Sequence, residues 1–118
     1  MAKSPLVIVG MIITFLAFIS MSILYFGLPK STNNIENIKS ACINLCLEAK
    51  KNGMDLSNGP CLSDNNPSWN FADWVCDVAH MPRKPVDNLP ANQCQDFRSG
   101  KAHHFVEVDE NCQVIKVY

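Results

Sequence analysis

The stretch NNIENIKSACINLCLEAKKNG, residues 33–53, carries the marks of an amphipathic helix from end to end. Asn33 is placed to cap it, and Glu36, three residues on, is placed to reach back as in a capping box. Ile35, Ile38, Cys42, Leu45 and Ala49 follow at alternating steps of three and four residues, which makes one apolar stripe. Lys50 and Lys51 complement the negative end of the helix dipole, and Gly53 supplies the stop. The pattern predicts a helix over residues 34–52 whose apolar face needs a cover.

That cover is found at the far end of the chain. HHFVEV (103–108) and CQVIKVY (112–118) are β-rich runs flanking Asp109-Glu110-Asn111, which reads as a hairpin. A hairpin is marginal alone and has to lie on something apolar, and the helix stripe is the obvious partner. Between them, residues 54–70 are punctuated by Asn58-Gly59-Pro60 and Asn65-Asn66-Pro67 and read as loop. FADWVCDVAH (71–80) fits a helical face and a strand face, and its aromatic and β-branched content favours the strand. Residues 81–95 hold Pro82, Pro85 and Pro90 and predict an irregular excursion. The expected fold is α+β, an amphipathic helix packed on a small antiparallel sheet.

Upstream of the helix, Ser4 to Pro29 contains no charged residue. Roughly 20 apolar residues cross a bilayer as a helix. Apolar side chains cover every face of this run, so a soluble amphipathic helix does not fit. The run also exceeds the apolar core of a signal peptide, and cleavage near Ser20-Met21-Ser22 would leave an apolar new terminus. A retained transmembrane helix is expected, dividing the chain into an anchor (1–29) and a cysteine-rich domain (30–118). Lys3 and the amino terminus balance Lys30 and Lys39, so flanking charge does not orient the anchor. Cysteine usage does: all six cysteines follow the anchor, in a domain small enough to need staples outside the cytoplasm. The expected location is a cell membrane, single-pass, with the C-terminal domain extracytoplasmic.

Cys42, Cys46, Cys61, Cys76, Cys94 and Cys112 admit many disulfide pairings. Helical spacing puts the Cβ atoms of Cys42 and Cys46 about 5–6 Å apart, beyond disulfide reach, so they bond outward to different partners. The set expected is Cys42–Cys76, Cys46–Cys61 and Cys94–Cys112. The alternative is a structural zinc ion held by Cys42, Cys46, Cys76 and His80, a Cys3His set.

Other chemistry is thin. His103 and His104 point to opposite faces of a strand; His103 shares a face with Glu107, most simply a solvent-facing one. Asp73 and Asp77 read as a solvated edge, and Asp109-Glu110-Asn111 offers too few oxygens for calcium. No Gly-x-Ser-x-Gly elbow or phosphate-cradling glycine loop is present, so no enzyme is expected. Ten Lys and Arg stand against eleven Asp and Glu without a basic stripe, which argues against nucleic acid as a partner. Trp69, beside Pro67 in a polar loop, is the aromatic expected to be accessible for binding.

The layout of short polar N-terminus, apolar helix, amphipathic helix and cysteine-closed sheet resembles type IV pilins and pseudopilins. Residues 74–80 and 92–94 are similar to small membrane-anchored archaeal proteins of uncharacterised function. The pilin resemblance implies a subunit assembling into a surface filament through its N-terminal helix, although no glutamate stands early in that helix here. The residues themselves support a non-enzymatic, membrane-anchored envelope component or partner-binding module. Its expected partners are the membrane and either a second copy or another envelope protein.

Overall fold

The computed structural model describes residues 4–26 and 35–118, with side chains described at 4–16 and 35–118. The chain divides into two units, 1–32 and 33–118. The first contains α1, Pro5–Phe26, an apolar helix of 22 residues. Its Thr14 hydroxyl donates back to the Gly10 and Met11 carbonyls, so the one polar side chain in its described part is satisfied within the helix. The described side chains of α1 end at Leu16, and among the described residues no helix is long and apolar enough to cross a membrane. The break expected at Leu28-Pro29 and the cap expected at Asn33 lie outside the described residues.

The second unit is a small α+β fold closed by three disulfides. It begins with α2, Ile35–Lys51, which the apolar stripe predicts to within a residue at either end. Ile38, Cys42, Leu45, Cys46 and Ala49 are buried, whereas Ile35 at the first turn is 48% exposed. Gly53 adopts φ +78°, and the Gly53 and Met54 amides bond back to Lys50 and Ala49. Those two bonds are a Schellman stop, which requires a left-handed residue at this point.

The sheet has the order β1-β2-β3, with β1 at Trp74–Val78, β2 at His104–Val108 and β3 at Val114–Val117. β2 and β3 form the expected antiparallel hairpin. Its turn is held by Asp109, whose Oδ1 accepts from the Asn111 and Gln113 amides. The sheet is not wholly antiparallel, however: β1 pairs with β2 in parallel, Trp74 opposite His104 through Val78 opposite Val108. Parallel neighbours need a long crossover. The proline-rich excursion supplies it, through 3-10 turns at Pro85–Asn88 and Pro90–Asn92 and the short helix α3, Gln95–Arg98.

Alternation along the strands divides the sheet into two apolar clusters. Cys76, Val78, Val106 and Val108 pack with the buried stripe of α2. Val75, with Phe105 beside it, packs instead with Cys94, Ala102 and Phe97 of the crossover. β1 and β2 are thus covered on both sides, which is why VCDV and FVEV lack the polar alternation of a half-exposed strand.

The disulfides follow from those two faces. Cys42–Cys76 joins α2 to β1, as the sequence led us to expect. The other two expected bonds are not formed: Cys46 bonds Cys112, and Cys61 bonds Cys94. Cys61 bridges to Asp77 along the outer edge of β1, which turns its side chain to the face away from α2. Cys46 lies on the other face and cannot reach it; Cys94, in the crossover, can.

Candidate functional site

The face of the sheet away from α2 is incompletely filled. A cavity of about 430 Å³ opens there, floored by Val75 and Asp77 of β1 and by Phe105 and Glu107 of β2. Lys116 of β3, the register partner of Glu107, joins them from the edge. Arg83, Gln93, Phe97 and Arg98 wall it from the crossover, beside the Cys61–Cys94 bond. The size is that of a small-ligand site, commonly about 300–1,000 Å³.

Its electrostatics are uneven. Asp77 and Glu107 are register partners and are only 8% and 7% exposed. Glu107 accepts from the Arg83 guanidinium at 2.8 Å, and Arg83 is steadied by Asn88 at 2.8 Å. Among the described residues Asp77 has no counter-ion bonded to it, and its Oδ1 is buried without a hydrogen bond. Burial, then the neighbouring Glu107 charge, push the Asp77 carboxyl up to about 8. The floor therefore holds a carboxyl raised toward neutrality beside the Arg83–Glu107 ion pair.

A second polar cluster locks the crossover in place. His80, just beyond β1, meets Asp87 through Nδ1 at 2.8 Å and Glu110 of the hairpin turn through Nε2. Asp87 is 2% exposed and also accepts from the His80 and Lys84 backbone amides. Burial works against its charge, yet those amide donors and the His80 ring hold its carboxyl below the usual range. His80 and Asp87 are thus tied into internal bonds that fix the crossover against β1 and the hairpin turn.

The other sequence-derived candidates are dispersed. Cys42, Cys46 and Cys76 of the zinc alternative are all consumed in disulfides, and His80 is held by two carboxylates, so these four do not assemble as a Cys3His site. Ligand atoms of Cys61, Asp64 and Cys94 lie within 4.8 Å of one another, but the two sulfurs are bonded together and offer no thiolate. Asp64 instead accepts the backbone amides of Gln95 and Asp96 at the start of α3. His103 meets Asp73, not Glu107. Trp69 is half-buried, packs against the α2-side core and donates its indole N–H to the Trp74 carbonyl at 2.8 Å. It lines a separate, wider groove of about 720 Å³ with Phe71 and Asp73.

Asp77, read from the sequence as part of a solvated edge, is instead buried in the sheet and lines this cavity. One signal for it was present: VCDV and FVEV each carry a lone acid inside an otherwise apolar strand. A carboxylate in a strand buried on both faces needs a partner or a purpose. No family model matches this chain, and no curated protein or solved structure gives a significant match, pilins included.

Proposed function

We propose that this chain is a membrane-anchored, extracytoplasmic domain that binds a small ligand over its sheet and performs no catalysis of its own. The cavity carries the reading: a concave space over the sheet lined by Phe97 and Phe105, with the Asp77 and Glu107 carboxyl groups and Arg83 among its walls. Small-ligand sites are concave, mostly apolar and set with a few polar groups, which is the make-up of this lining.

The anchor rests on sequence and length. Ser4 to Pro29 carries no charged residue, and roughly 20 apolar residues cross a bilayer as a helix. Three disulfides in so small a unit favour an oxidising compartment. The lining joins carboxyls and an arginine with aromatic rings, and the proposal is limited to binding.

Amide NMR of the full chain in detergent micelles, titrated with a mixed library of amines, carboxylates and amino acids, tests the reading. Shifts confined to Val75, Asp77, Phe105, Glu107 and their neighbours are expected. A library that moves none of these amides overturns it.

A further inference from the structure

Lys116 and Glu107 are register partners across β3 and β2, where opposite charges ordinarily pair. Here they do not. Glu107 bonds Arg83 instead, and the Lys116 ammonium stands 5.4 Å from the centre of the Phe105 ring, over its face. Arg98 of α3 lines the same cavity and bonds the Pro90 carbonyl at 3.5 Å. Among the described residues neither Lys116 nor Arg98 makes an ion pair.

The excess of positive charge is local. The whole chain has a net charge of −1, whereas this lining sets Arg83, Arg98 and Lys116 against Asp77 and Glu107. Burial pushes the Asp77 carboxyl up to about 8, so near neutrality it offsets little of that charge.

We infer that the cavity binds a small aromatic carboxylate, its anionic end drawn to Lys116 and Arg98 and its ring seated against Phe97 and Phe105. The inference rests on the ligand-binding reading above and names its ligand class. Lysine and arginine hold carboxylates by charge-assisted hydrogen bonds, and the guanidinium fork matches the carboxylate plane. Phe97 and Phe105 meet edge to face at 5.2 Å, an arrangement that a third ring extends. An amine would meet two unpaired cations and, near neutrality, one ionised carboxylate that Arg83 already holds. A neutral aromatic would leave both cations without a partner. An acid without a ring would leave the phenyl groups facing water.

Amide NMR of the full chain in micelles, following Val75, Phe105, Glu107 and Lys116, tests this with hydrocinnamate, hydrocinnamyl alcohol, phenylpropylamine and propionate. These amides report the cavity itself, so partition of a phenyl compound into the micelle is not read as binding. Hydrocinnamate is expected to bind at least about tenfold tighter than each of the other three. Replacing Lys116 and Arg98 together by Gln should lower its affinity to that of the alcohol and leave the alcohol's unchanged. Both side chains are exposed, so the double variant keeps the fold. Alcohol or amine binding as tightly as the acid, or a preference for the acid that survives in the double variant, overturns the assignment of charge. Propionate binding as tightly as hydrocinnamate overturns the ring. Hydrocinnamate silence overturns both: if other library members still shift the cavity amides, the broader binding reading stands, and if none do, it falls as well.

Discussion

Asp77 and Glu107 face each other across the parallel pair β1 and β2, both buried on the side of the sheet away from α2, yet among the described residues only Glu107 is bonded to a counter-ion. The asymmetry comes from the crossover, which delivers one arginine, Arg83, to two carboxyls. It leaves the folded chain holding a proton that the unfolded chain gives up.

The first consequence is a pH dependence of stability. Asp77 titrates near its ordinary 3.8 when unfolded and at about 8 when folded. Between those values the folded state binds more protons, so this group's contribution to stability is greatest at the acidic end and is lost as pH rises toward 8. The full loss is on the order of 5 kcal/mol. Chemical denaturation across this range should show the wild type weakening with pH and Asp77→Asn weakening much less. Parallel profiles for the two would sink the buried acid.

Removing Arg83 should strand the Glu107 charge. Arg83→Met is expected to cost about 1–3 kcal/mol at neutral pH, less than a fully buried pair because the arginine side chain is 40% exposed. Adding Glu107→Gln should recover most of that loss. A double-mutant cycle measured by urea denaturation checks the coupling.

Two glycines with positive φ should respond differently. A Cβ at Gly59 would lie 2.6 Å from Asp87 Oδ1 and 2.9 Å from the Val78 carbonyl, pressing on the His80–Asp87 cluster and on β1. At Gly53 nothing lies within 4 Å, and φ alone opposes a side chain. Gly53→Ala is expected to cost about 1 kcal/mol. Gly59→Ala should cost at least twice that and should also loosen the crossover, read as faster hydrogen exchange at His80 and Lys84.

Peptide mapping without reduction should recover Cys42–Cys76, Cys46–Cys112 and Cys61–Cys94. Replacing Cys46 and Cys112 together by Ala opens a loop spanning 66 residues and should cost about 4 kcal/mol by chain entropy. Replacing Cys61 and Cys94 releases the crossover from the far face, and ligand binding should fall more than stability does.

The proposed anchor makes one prediction of its own. Ile13→Arg puts a charge midway along α1, and a charge at the centre of a span costs insertion about 3 kcal/mol. The wild type should resist alkaline extraction from membranes and the variant should be released. Equal release of both would argue against a spanning helix.

Much of the second unit was readable in the residues because its determinants are local. Spacing and capping define α2, the stop at Gly53 needs only a left-handed residue, and the Asp109 turn joins two β-rich runs. The uncharged run from Ser4 to Pro29 likewise states its own chemistry without a partner. Strand direction is different in kind: VCDV looks the same whether β2 runs with it or against it, although the long connection to β2 and the near-continuous apolar runs favoured the parallel arrangement. Cysteine pairing depends on which face each strand turns to α2, and Cys61 took its face from a bridge to Asp77 along the edge of β1. The cavity is further still from local pattern, since Asp77, Glu107, Arg83 and Lys116 come from four separate segments. Short-range sterics and hydrophobic periodicity were therefore settled by the sequence alone, whereas the burial of Asp77 beside a single arginine exists only once the crossover has closed over the sheet.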